Sequence, residues 1–143
     1  GRWEVFVDYV IYLKTLFPQR QTELNLLIQD DWKECKKKLD GLRQSDKETF
    51  LFLFNAARLK FIFPQHQAEL GLTGQDWQNM WQELEKYRVS KKWKNFYFQA
   101  ANMQILAAEK AEITDQGEIK LTMPKRENDF NKKTPPIPRL RAF

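Results

Sequence analysis

The chain contains the same ten-residue motif twice, and this duplication constrains its fold more than any other feature. The first copy, at 17–26, reads FPQRQTELNL, and the second, at 63–72, reads FPQHQAELGL, 46 residues later. Each copy leads to an Asp-Trp pair, ending at Trp32 or Trp77, and then to a run with helical periodicity. Self-similarity at such a period is typical of proteins built from stacked repeats. The sequence therefore predicts a repeat architecture.

Apolar side chains spaced three and four residues apart predict five helices before residue 110. Pro18 and Pro64 should end the first and third helices, because proline cannot continue a helix. Pro18 also suits the opening of a short helical turn. Ser45, Thr73 and Ser90 are the predicted N-caps of the third, fourth and fifth helices.

After the helices, the sequence predicts a β-hairpin and an extended tail. Two alternating segments flank Asp115-Gln116-Gly117, which places Gly117 in a left-handed turn position. We expect the second strand to lay its apolar side chains on the last helices as a terminal cap; these are Ile119, Leu121 and Met123. Four of the six prolines follow the hairpin and favour an extended conformation there.

The predicted fold is all-α in its body, with antiparallel helical-hairpin repeats in about two and a half copies of a ~45-residue unit. A C-terminal β-hairpin and an extended Pro-rich tail close it. The helical domain spans 1–110, and the remaining boundaries are repeat 1 at 3–45, repeat 2 at 46–90, a half repeat at 91–110, the hairpin at 111–123 and the basic tail at 124–143. The period resembles that of the HEAT and tetratricopeptide solenoids, although the signature residues of neither family are present.

The positive charge of the chain is concentrated in its last twenty residues. The net charge is +5, of which 124–143 contributes +4 through six Lys or Arg against two acidic residues. The body is nearly neutral, so its lysine-rich stretch at 33–38 is interpreted as a solvated helix face. Trp93 shares a stripe with Phe96 and Ala100, and we expect it in the core rather than stacked on a base.

The sequence carries no recognisable catalytic constellation, and we predict that the protein is not an enzyme and has no cofactor or metal site. His66 is interpreted as a polar surface residue, because Arg20 occupies its place in the first motif. Cys35 lies on an apolar stripe and is expected to be buried and unreactive. The repeated pairs Gln19/Gln65 and Glu23/Glu69 are expected to satisfy backbone groups freed by the prolines.

Two further expectations concern the cellular setting. No apolar run approaches the ~20 residues of a transmembrane helix, so no membrane association is predicted. A single cysteine fits a reducing compartment, which favours the cytoplasm. The chain begins with Gly1 rather than Met and shows no signal peptide, and we interpret it as an excised fragment or as carrying an expression scar.

The function favoured by these observations is a non-enzymatic module for protein–protein interaction, either complete or a fragment of a longer array. The first helix is apolar on more than one face, which predicts self-association or contact with another repeat. The alternative is a nucleic-acid or ribonucleoprotein-associated factor that uses the basic tail. The tail either binds a partner or straps back over its own helices. Its candidate partner-binding residues are Lys132, Lys133, Pro135, Pro136, Pro138, Arg139, Arg141 and Phe143.

Overall fold

The structure, a computed structural model, describes residues 2–43 and 49–124. This part is mostly helical with one small antiparallel sheet, which confirms the predicted helical body and the hairpin. The helices are α1 (Arg2–Leu16), α2 (Gln21–Ile28), α3 (Trp32–Arg43), α4 (Thr49–Ile62), α5 (Gly74–Val89) and α6 (Trp93–Ala107), and the strands are β1 (Lys110–Ile113) and β2 (Ile119–Thr122).

The two prolines of the motif end the helices before them, as predicted. Helix α1 ends at Leu16 and α4 at Ile62, and Pro18 and Pro64 each open a 3-10 turn. The chain then differs between the copies. After Pro18 it continues into α2, whereas after Pro64 it stays in a 3-10 turn that ends at Gly71, with φ +69°. A left-handed glycine terminates a helix, and the first motif has Asn25 in that place.

The predicted N-caps have three different outcomes. Thr73 caps α5 with a full capping box: its hydroxyl accepts from Asp76 N, while Asp76 Oδ2 accepts from Thr73 N at 2.8 Å. Ser90 was expected to cap α6, and that prediction is wrong. Ser90 closes α5, donating its hydroxyl to Lys86 O at 2.7 Å, and the N-cap of α6 is Lys92. Ser45 lies outside the described residues.

Helix α4 lies at the centre of the molecule, in contact with α1, α3, α5 and α6. Because neighbours surround it, its buried residues are distributed all around the helix instead of along one stripe; they include Phe52, Leu53, Ala57, Leu59 and Ile62. Trp93 was expected in this core, but the structure exposes it at the first residue of α6. The helix begins there, so its first turn projects beyond the packed middle.

The hairpin is present, but the strand predicted to be buried is the outer one. Strand β1 contacts α4 and the turn after Pro64, burying Ala111 and Ile113. Ile119 pairs with Ile113 across the sheet, yet Ile119 and Met123 are exposed. Leu121, the third residue expected to contact the helices, is half-buried and packs against the core as predicted. Gly117 has the expected left-handed conformation, with φ +77°.

Candidate functional site

The two copies of the motif have matching backbone geometry at their start. Phe17 has φ −128° and ψ 62°, and Phe63 has φ −122° and ψ 69°. Phe17 N donates to Leu13 O at 2.8 Å, and Phe63 N donates to Leu59 O at 3.0 Å. Residues that lie 46 positions apart, in the two copies or in the helix end just before each copy, are here called counterparts. They can be compared as equivalent positions at this point of the chain.

The first counterparts of interest are two buried lysines, Lys14 and Lys60. The Lys14 ammonium donates to Asn25 Oδ1 at 2.6 Å, to Phe61 O at 3.2 Å and to Ile62 O at 3.4 Å. These carbonyls belong to the last turn of α4, where helix geometry provides no intrahelical donor. Each such bond joins α1 to the C-terminal end of α4.

Lys60 repeats this arrangement one copy later. Its ammonium donates to Leu106 O at 3.2 Å and to Ala108 O, at the end of α6. Neither lysine was predicted to be buried, although both stand inside apolar stretches at the same 46-residue offset. The sequence pattern that could have indicated their burial is a lysine that recurs at the same position near the apolar end of a helix.

Burial lowers the pKa of Lys14 and of Lys60 to about 8. A lysine with a lowered pKa is a potential nucleophile, but both ammonium groups are enclosed and already bonded to carbonyl oxygens. Their arrangement points to a structural role.

These two lysines should give the protein a measurable pH dependence. Their pKa in the unfolded chain is near 10.4, so between pH 8 and 10.4 the unfolded state binds more protons and the folded state gains stability as the pH rises. We expect Lys60→Met to reduce the increase in unfolding free energy between pH 7 and 9 by about 1 kcal/mol. Urea unfolding at pH 7, 8 and 9 measures it, and identical increases in wild type and variant would contradict the assignment. The pKa of Cys35 is raised, so this thiol lowers the unfolding free energy as the pH rises, but only above the ordinary pKa of a thiol.

The repeated glutamines that satisfy backbone groups are Gln21 and Gln67. The Gln67 amide donates to Lys60 O at 2.8 Å and to Ala111 O at 2.7 Å, and its oxygen accepts from Ala111 N at 3.3 Å. Gln21 Nε2 donates to Ile113 O at 2.6 Å. The two side chains fasten β1 across the molecule. Gln19 and Gln65, which were expected to do this, are exposed. Glu23 and Glu69, also expected to do this, contact the side chains of Arg20 and His66 instead.

His66 and Cys35 are both placed by their contacts with the core. His66 is half-buried, not a surface residue as predicted: its ring stacks on Trp32 at 4.7 Å between centroids and 2° between planes, and Nδ1 contacts Glu69 Oε2. Cys35 is buried as predicted. Burial, and then the charges of Asp31 and Glu34, raise the pKa of its thiol to about 11, which disfavours the reactive thiolate.

An exposed apolar surface lies on α1, α2 and the turn between them, and it is the strongest candidate for a binding site. Leu13, Leu16 and Phe17 are 39%, 53% and 51% exposed. Their counterparts Leu59, Ile62 and Phe63 are 0%, 1% and 0% exposed. The surface continues into a hollow of about 180 Å³, and we call the whole the α1–α2 flank; the hollow is lined by Leu13, Phe17, Arg20, Glu23, Leu24 and Leu27.

A second apolar hollow, of about 230 Å³, lies beneath the outer strand of the hairpin. It is lined by Ile11, Phe61, Ile105 and Ile119, with Arg58 at its edge. The Arg58 guanidinium is held by Asp8 Oδ1 at 2.7 Å and lies over the Phe54 ring at 3.6 Å. Because the Arg58 guanidinium is already paired with Asp8, it is less available to bind a polar ligand in this hollow.

The remaining predicted features concern the tail, metals and membranes. All eight candidate residues of the tail lie outside the described residues. Within 2–43 and 49–124, no cluster of three or more His, Cys, Asp or Glu side chains is arranged to hold a metal ion. None of the helices in this same part has the length and apolar character needed to cross a bilayer.

Comparison of the chain with known protein families, with curated proteins and with solved structures found no match.

Proposed function

We propose that this chain is a non-enzymatic module that binds another protein through a helical-repeat surface. In this proposal the body consists of antiparallel helical-hairpin units of about 45 residues, alone or as part of a longer array. The matching backbone geometry at Phe17 and Phe63 supports equivalent units, as do the bonds of Lys14 to the end of α4 and of Lys60 to the end of α6.

The observation that carries the proposal is the difference in exposure between counterparts on the α1–α2 flank. Positions that the second motif buries completely are about half exposed in the first. Exposed apolar side chains that adjoin one another mark interaction sites more often than scattered ones do. Around them, Arg20 and Glu23 form an exposed ion pair at 3.4 Å, which gives the apolar surface a polar rim.

Nucleic-acid binding by the basic tail is the alternative. It rests on the +4 charge of 124–143. Such binding depends on phosphate contacts and weakens steeply with salt, whereas apolar docking on the flank should tolerate salt. The two proposals therefore predict different responses in one experiment.

The experiment is affinity capture with the full chain from a lysate of its source, with and without nuclease, at low and high salt. We expect Leu16→Lys to reduce the captured protein at least about tenfold, as the loss of a central interface residue does. Val89→Lys is the matched control, because Val89 is also an exposed apolar residue at the last position of a helix. A lysine there suits the helix dipole in both variants.

A third variant, Lys132→Glu with Lys133→Glu, distinguishes binding by the flank from nucleic-acid binding by the tail. Capture that survives nuclease and high salt, and is lost only in Leu16→Lys, supports the flank. Capture lost only in the tail variant and after nuclease overturns the proposal in favour of nucleic-acid association. Circular dichroism of each variant verifies that its helices are intact.

A further inference from the structure

The tryptophan that begins α3 shows how the second motif is covered. The Trp32 ring is 5.3 Å from the Phe63 ring, centroid to centroid, in an edge-on arrangement at 61°. The same ring also stacks in parallel on His66, at 4.7 Å between centroids. Trp32, from an earlier part of the chain, therefore lies in the second motif between the ring of Phe63 and the planar side chain of His66.

The first motif has an equivalent pair of side chains, but no tryptophan ring of the described residues is paired with them. The counterparts of Phe63 and His66 are Phe17 and Arg20, and both line the hollow of the flank. Arg20 contacts Glu23, just as His66 contacts Glu69. A guanidinium is planar and stacks on aromatic rings as an imidazole does. The hollow thus repeats the two groups that hold Trp32 elsewhere in the same molecule.

We propose that the α1–α2 flank receives a helix of a partner protein that carries a tryptophan in its first turn, with the indole inserted between Phe17 and Arg20. This rests on the proposed function and specifies its partner. The flank presents Phe17 and Arg20 at the positions that correspond to Phe63 and His66, the two residues that Trp32 of α3 contacts in the second motif. Helix α3 begins after the acidic pair Asp30-Asp31. Arg20 of the flank already pairs with Glu23 at 3.4 Å, so the indole, and not an acidic segment, is the feature required of the partner.

The chain itself supplies the probe: a labelled peptide of residues 29–43, which contains Trp32 and the whole of α3. It is titrated into the full chain and binding is followed by fluorescence anisotropy. We expect Trp32→Ala in the peptide to weaken binding at least about tenfold, and Phe17→Ala in the protein to do the same. Val89→Lys, away from the flank, should bind the peptide as the wild type does.

Arg20 gives a sharper test of the indole position. Arg20→His recreates the residue that stacks on Trp32, so this variant should bind the peptide within about threefold of the wild type. Arg20→Glu should weaken binding about tenfold, because it removes the cationic plane on which the indole stacks. Equal binding by the His and Glu variants would overturn the indole placement.

Other outcomes separate this proposal from the one on which it rests. No peptide binding, or binding that Phe17→Ala leaves unchanged, overturns the tryptophan helix even if lysate capture still depends on Leu16. Sedimentation of the full chain tests a second copy as the occupant, since Trp93 is exposed on each molecule. Self-association abolished by both Phe17→Ala and Trp93→Ala would assign the flank to a second copy and overturn the partner helix.

Discussion

Phe63→Ala is expected to lower the free energy of unfolding by about 3–5 kcal/mol, the range observed for large-to-small substitutions of buried aromatic residues. The Phe63 ring is fully buried and contacts Trp32 edge-on. Its removal leaves a cavity beneath Trp32 that the surrounding helices cannot fill without moving. The counterpart substitution, Phe17→Ala, should cost less than about 1 kcal/mol, because half of that ring already contacts solvent.

The two substitutions form a controlled pair because the backbone around them is nearly the same. Phe17 and Phe63 have similar dihedral angles and make the same hydrogen bond to the residue four positions earlier. Backbone and propensity effects therefore cancel in the comparison, and the difference isolates burial. Urea unfolding followed by circular dichroism gives both values. Equal losses would mean that something in solution covers the flank as α3 covers Phe63.

Features that depend on a few neighbouring residues could be predicted from the sequence. The helix ends before Pro18 and Pro64 follow from the geometry of proline alone. The capping box of Thr73 and Asp76 needs only a hydroxyl and a carboxylate three residues apart. The left-handed Gly117 likewise follows from the local turn.

Features that depend on which element is central could not be predicted in this way. Strands β1 and β2 both alternate, and only packing decides that β1 lies against α4 while Ile119 remains exposed. Trp93 fits the apolar stripe of α6. Such a stripe shows which face of a helix is apolar, but not how far along the helix neighbouring elements cover that face. Ser90 has the right chemistry for an N-cap, yet Lys91 takes a positive φ of 58° and Ser90 closes the preceding helix.

The candidate site shows the same division. The repeat predicted that Phe17 and Phe63 are equivalent, and the apolar breadth of the first helix indicated an open surface. Their exposure differs because Phe63 is packed within the core, with Trp32 among its neighbours, whereas half of the Phe17 ring contacts solvent. The buried lysines were hidden for a related reason: amphipathic patterns place lysine in solvent, and only a tertiary contact with the end of another helix reverses this for Lys14 and Lys60.

Gln67→Met is expected to lower the free energy of unfolding by about 2–3 kcal/mol, because it leaves buried backbone groups without partners. The Gln67 amide bonds two carbonyls and one N–H, those of Lys60 and Ala111, and Ala111 is fully buried. Methionine preserves the length and flexibility of the side chain, so little packing is lost. The loss should therefore be mainly that of hydrogen bonds.

Gln65→Met is the matched control, since Gln65 stands two residues earlier in the same motif and is exposed. It should change the unfolding free energy by no more than about 0.5 kcal/mol. Hydrogen exchange measures where the loss occurs: in Gln67→Met, the amides of β1 should exchange faster, as expected when a strand loses its attachment to the helices. Faster exchange elsewhere in the chain, with the amides of β1 unchanged, would show that Gln67 does not hold the hairpin in place. Since Gln21 holds Ile113 O independently, combining Gln67→Met with Gln21→Met should release the whole strand.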